Sequence, residues 1–143
     1  MNEQVSDSQT VCWLVEDSIE DTMLLKMAIS TSHPSVEVIV STSGEVALRE
    51  MEQRNLAGLP FPALMIVDVN LPGMKGFDFL GFLIAGGFKK FPVIMMSGST
   101  IQKEEATSMA SGADGFLEKS MSFYQMEERL GQMIEDLLPR QSV

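Results

Sequence analysis

The segment Ala63-Leu64-Met65-Ile66-Val67-Asp68-Val69-Asn70-Leu71-Pro72-Gly73 decides the fold. Its opening apolar run, Ala63 to Val67, shows no alternation, so a strand built from it must be covered on both faces, as in a parallel sheet flanked by helices. A carboxylate ends the run. Leu71-Pro72-Gly73 then breaks the chain, and Phe77, Leu80, Leu83 and Ile84 recur at helical spacing. The unit is strand, acidic terminus, turn, helix.

The same unit recurs on both sides. Upstream, Val11 to Val15 is a continuous apolar run, and Ser18 is placed to cap a helix from Ile19 to Ile29. Val36 to Val40 is rich in β-branched residues, and Thr42 with Glu45 forms a capping-box pattern ahead of Val46, Ala47, Leu48 and Met51. Downstream, Pro92 opens Val93-Ile94-Met95-Met96, and a weaker helical stretch from Ile101 to Ser111 closes at Gly112. Gly115-Phe116-Leu117 is a short fifth strand, after which Ser122 and Gln125 cap a helix carrying Met126, Leu130, Met133, Ile134 and Leu137. Consecutive βα units with right-handed crossovers predict an α/β fold: a doubly wound five-stranded parallel sheet with five helices, in the flavodoxin-like order 2-1-3-4-5.

Composition narrows the function. With 143 residues, 45% of them hydrophobic, the chain encloses one core, and residues 1–143 are expected to form a single domain with residues 1–9 as a flexible N-terminus. A formal net charge of -10 argues against direct nucleic-acid binding, which needs a concentrated positive surface. The single cysteine, Cys12, sits among apolar neighbours, and no long apolar run or signal-peptide pattern is present, so a cytoplasmic location without membrane attachment is expected. Trp13 and the methionines, Met95 and Met96 included, read as core filling. The lone His33 has no second ligand nearby in sequence and reads as a solvated helix-end residue.

The polar residues share one location. Glu16 and Asp17 follow the first strand, Asp68 ends the third, Ser97 ends the fourth and Lys119 follows the fifth. In an open parallel sheet the carboxyl edge, where strand order reverses, is the place where ligands bind. Three carboxylates gathered there repel one another unless a hard cation neutralises them, and an all-oxygen site suits Mg²⁺ (or Mn²⁺). Such an ion is usually held by one or two carboxylates plus phosphate oxygens, which points to phosphoryl chemistry. Lys119 and the Ser97 hydroxyl are then suited to donate hydrogen bonds to a phosphoryl group on Asp68.

These residues make the chain resemble the response-regulator receiver family of two-component signalling. The resemblance rests on the pair Glu16-Asp17, on Asp68 in Ile-Val-Asp-Val-Asn-Leu-Pro-Gly-Met-Lys-Gly, on Ser97 in Met-Met-Ser-Gly-Ser and on Lys119 in Phe-Leu-Glu-Lys-Ser. It implies that Asp68 is the phosphoacceptor and that Glu16, Asp17, Asp68 and the backbone carbonyl of Asn70 form the metal site. It further implies that Lys119 contacts the phosphate, that Ser97 is the switch hydroxyl and that Phe116 stands in for the rotating aromatic. The implied partners are a sensor histidine kinase or phosphotransfer protein and a downstream protein, with homodimerisation open. Ser120 departs from the family, which usually has proline after the lysine with a cis bond between them. The lysine-serine pair is similar to that of small stand-alone regulators paired with bacteriophytochromes.

Two other readings compete. An aspartate-nucleophile phosphatase needs an acid/base carboxylate two residues after the nucleophile, where this chain has Asn70, and an amide cannot transfer that proton. A receiver-like module that binds constitutively, without phosphorylation, has no need to keep Asp17, Asp68, Ser97 and Lys119 together.

Overall fold

A computed structural model describes residues 10–98, 101–119 and 121–138. The apolar runs become strands β1 (Val11–Val15), β2 (Glu37–Ser41), β3 (Leu64–Asp68), β4 (Val93–Ser97) and β5 (Gly115–Glu118). They alternate with helices α1 (Ile19–Ser32), α2 (Gly44–Leu56), α3 (Gly76–Ala85), α4 (Ile101–Ala110) and α5 (Phe123–Leu137). All four pairings are parallel and the order is β2-β1-β3-β4-β5, as the alternating units predict. The expected flexible stretch at residues 1–9 and the Lys119-Ser120 bond both lie outside the described residues.

Every residue of β3 and β4 is buried, which is the physical meaning of their uninterrupted apolar character. Alternate side chains feed two cores. Trp13, Val15, Met65, Val67, Val93 and Met95 pack with Ala47 and Met51 of α2 and Phe79, Leu80 and Leu83 of α3. On the other face Cys12, Leu14, Leu64, Ile66, Ile94 and Met96 pack with Leu25, Ala28 and Ile29 of α1 and with Met126, Leu130 and Ile134 of α5. Each fully buried aliphatic side chain contributes about 1.5–3 kcal/mol. Trp13 keeps its indole N–H satisfied by donating to Ser41 Oγ at 2.8 Å. Burial pushes the Cys12 thiol up to about 12, which leaves it an inert core residue.

Three of the four helix-end signals read from the sequence hold. Ser18 and Ser122 cap α1 and α5, the latter with the full capping box through Gln125. Gly112 adopts φ 101°, the left-handed conformation in which glycine carries no Cβ penalty. The α2 cap differs from the sequence expectation: Ser43, not Thr42, accepts from Val46 N–H. Glu45 is drawn away to the loop after β3, where it accepts from Met74 N–H at 3.2 Å. In α3, Phe79 takes the core position and Ile84 is 46% exposed, contrary to the spacing that grouped Ile84 with Leu80 and Leu83. His33 lies at the end of α1 with its Nε2 3.2 Å from Glu135 of α5. Among the described residues, no helix is long and apolar enough to cross a membrane.

Candidate phosphoryl-acceptor and metal site

The neighbouring strands β1 and β3 are the point where the sheet order reverses, and their carboxyl ends carry the acidic residues to one place. Asp68 ends β3, and its successor is pinned to β4 by Val69 N–H donating to Met96 O at 2.8 Å. The chain then folds back tightly enough for Gly76 N–H to donate to Val69 O at 2.9 Å. A Cβ at Gly76 would collide with the Asp68 carbonyl oxygen and come within 2.9 Å of Val69 Cα, so only glycine permits this return. The Asn70 N–H donates to Asp68 Oδ1 at 2.9 Å and orients the carboxylate.

Glu16 is held just as firmly. Its N–H donates to Ser41 O at 3.0 Å, extending the edge of the sheet by one residue, and its Oε2 accepts from Ser18 N–H at 3.0 Å. Its side chain is completely buried, whereas Asp17 is exposed. Glu16, Asp17 and Asp68 each offer a carboxylate oxygen within 4.8 Å of the others. The convergence expected from strand termini is therefore present.

Lys119, anchored by its N–H to Ser97 O at 2.8 Å, reaches into this group from the end of β5. Its Nζ lies 2.7 Å from Asp21 Oδ2, 2.8 Å from Glu16 Oε1 and 3.0 Å from Asp68 Oδ2. Burial alone lowers the lysine, but its contacts with Asp21, Glu16 and Asp68, hydrogen bonds to the first and last and an ion pair with Glu16, outweigh that and hold the ammonium above its ordinary value. Asp21 is the member that sequence reasoning misses. It stands in the first turn of α1, where an acidic residue has an ordinary explanation in the helix dipole. Its partner is 98 residues away, and no local pattern announces it.

Ser97 is fully buried at the end of β4, and Phe116, also buried, pairs with Met95 across β4 and β5. Phe116 borders a cleft of about 340 Å³ with Glu105, Glu118, Met121 and Arg129. A smaller crevice of about 60 Å³ opens beside Lys119 between α1 and α5.

The charge balance of the site favours a cation. Four carboxylates share the site with one ammonium, three of them in contact with it, and burial pushes the Glu16 carboxyl up to about 7. The Asp68 charge adds to that rise, while the Lys119 ammonium and the hydrogen bond from Ser18 N–H oppose it. An ordinary glutamate titrates at 4.5, so between there and 7 the folded chain retains a proton that the unfolded chain has released. That contribution to stability is full below the ordinary value and is lost as pH rises through the folded one. Without divalent cations, the thermal midpoint is therefore expected to fall between about pH 5 and about pH 7.5, and Glu16→Gln should flatten the decline. Thermal denaturation in chelator checks this; a midpoint that climbs across the window contradicts it.

The family model described as response regulator receiver domain matches residues 12–131. The chain belongs to the response-regulator receiver family. It is 31% identical over 71 residues to the two-component response regulator PhoP of Pseudomonas aeruginosa, covering 50% of this chain and 31% of PhoP. It is 28% identical over 117 residues to the response regulator Rcp1 of Synechocystis, covering 80% of each chain. The phosphorylated cyanobacterial phytochrome response regulator RcpA superposes with a TM-score of 0.79 at 25% identity, over 93% of this chain and 100% of RcpA. The Mn²⁺-bound form of Rcp1 superposes with a TM-score of 0.72 at 26% identity, over 92% and 99% of the two chains. The chain spans 31% to 49% of the length of PhoP and of the KdpE regulators of Mycobacterium tuberculosis that it also matches.

Proposed function

We propose that this receiver domain accepts a phosphoryl group on Asp68 from a histidine kinase or phosphotransfer protein, with Mg²⁺ or Mn²⁺ as cofactor. The observation that carries the reading is the convergence of Asp68 with Glu16 and Asp17, whose carboxylate oxygens lie within 4.8 Å of one another, with Asp68 Oδ1 fixed by Asn70 N–H and Oδ2 resting on the Lys119 ammonium. Asp68 Oδ2 attacks the phosphorus in line, the bond from phosphorus to the donor's imidazole nitrogen breaks, and the imidazole departs with the electron pair. Lys119 then exchanges its bond to Asp68 for one to a phosphoryl oxygen, and the Ser97 hydroxyl donates to another.

Glu16, Asp17, Asp68 and the Asn70 carbonyl would hold the cation, which supplies charge neutralisation for the phosphoryl oxygens when bound. The Mn²⁺-bound form of the relative Rcp1 supports this assignment. Inward movement of Ser97 and repacking of Phe116 would pass the change to the surface formed by α4, β5 and α5, where a downstream protein or a second copy reads it. Phe116 lacks a phenolic hydroxyl, so packing alone carries that signal.

A protein donor fits the surroundings, because Ile19, Met23 and Met27 expose an apolar row on α1 one turn apart beside the acidic site. We assign the domain to the cytoplasm, as a switch with no turnover on an external substrate beyond its own phosphorylation and dephosphorylation. Acetyl phosphate with Mg²⁺ tests the proposal: intact-mass spectrometry should show one added phosphoryl group, absent when chelator is present. A protein that gains no mass under these conditions, yet still binds its partner, would favour the constitutive module.

A further inference from the structure

We infer that Asp21 is a positioning residue: it keeps the Lys119 ammonium in place while the other two carboxylates around that lysine change partners. The inference rests on Asp68 being the phosphoacceptor. An ammonium has three N–H donors and no more. In this structure the ammonium donates hydrogen bonds to Asp21 Oδ2 and Asp68 Oδ2, at 2.7 and 3.0 Å, and forms an ion pair with Glu16 Oε1 at 2.8 Å.

Two of those carboxylates are committed elsewhere during the reaction. Glu16 and Asp68 belong to the carboxylate trio that fits a cation, and the Asp68 carboxylate loses its charge when it becomes an acyl phosphate. Asp21 stands outside that trio and makes the shortest of the three contacts. It is also carried on a rigid element. Its N–H donates to Ser18 Oγ at 3.1 Å, and α1 is locked to the sheet through Leu25, Ala28 and Ile29.

Removing Asp21 leaves the ammonium with only the acceptors that the cation needs. Lys119 then settles between Glu16 and Asp68, competing with the metal and standing in the wrong place for the incoming phosphoryl oxygen. Asp21 touches neither the reacting atoms nor, by this account, the metal, so its influence passes entirely through Lys119.

The test measures phosphoryl uptake from acetyl phosphate at saturating Mg²⁺ in the wild type, Asp21→Glu, Asp21→Asn and Asp21→Ala, with thermal midpoints recorded for each. Asp21→Ala is expected to be slower by about tenfold, the scale of a modest misplacement of a catalytic group. Asp21→Asn keeps an acceptor oxygen and should fall between, and Asp21→Glu should restore most of the rate. In a Lys119→Ala background, Asp21→Ala should change nothing further, because the two residues act as one unit. An Asp21→Ala protein that matches the wild-type rate overturns the inference. So does an equal slowing by Asp21→Ala with and without Lys119. Failure of the wild type itself to take up phosphoryl is a separate result that removes the receiver reading and this inference with it.

Discussion

Asp68→Ala is expected to abolish phosphoryl uptake from acetyl phosphate completely, because no other carboxylate stands where Asp68 does. Glu16 is buried with Oε2 committed to Ser18 N–H and Oε1 against Lys119, and Asp17 is exposed at the rim. Glu16 shares with Asp68 the pairing of a backbone N–H on one oxygen and the ammonium on the other, but its side chain is completely buried, whereas Asp68 keeps 6% of its side chain open to an incoming donor. The substitution removes one carboxylate of three from Lys119, which keeps Glu16 and Asp21, so the fold should survive. Intact-mass spectrometry with Mg²⁺ present reads the result directly. Residual labelling of the variant at the wild-type rate would move the acceptor elsewhere.

Lys119→Ala is expected to separate metal binding from phosphorylation. The lysine competes with any cation for Glu16 and Asp68, so its loss should leave Mg²⁺ affinity intact or increase it. Phosphoryl uptake should fall by about 10²–10³-fold, the usual cost of removing one preorganised donor from developing phosphoryl charge. The variant should also lose stability in chelator, since Glu16 and Asp68 then face each other without a counterion. Addition of Mg²⁺ should recover much of that stability. A titration in which Mg²⁺ affinity disappears together with Lys119 would contradict this division of roles.

Much of the architecture is legible in the chain because two-sided burial leaves an unmistakable record. Runs such as Leu64–Val67 and Val93–Met96 can only be covered strands, and the polar residue that ends each one falls at the same edge of the sheet. That geometry brings Glu16, Asp17 and Asp68 together without further information. What could not be read depended on contacts distant in sequence. Thr42 and Ser43 are both competent caps; Ser43 caps the helix, and Glu45, the residue the box pattern needs at the helix end, binds Met74 N–H instead. In α3, Gly76 packs closely on the Asp68 carbonyl, Phe79 is buried and Ile84 is exposed, an orientation that depends on contacts outside the helix. Asp21 was hidden for the same reason, since its significance lies wholly in a lysine on the far side of the sheet's sequence.

The convergence of buried and exposed carboxylates on a single ion is the claim from which the rest follows. Crystals grown with Mn²⁺ and beryllofluoride would test it through anomalous scattering at the manganese edge. The account predicts one ion bounded by Glu16, Asp17, Asp68 and the Asn70 carbonyl, with the fluoride-bearing group on Asp68 touching Lys119. Manganese located away from Asp68, or beryllofluoride bound to another side chain, would contradict it.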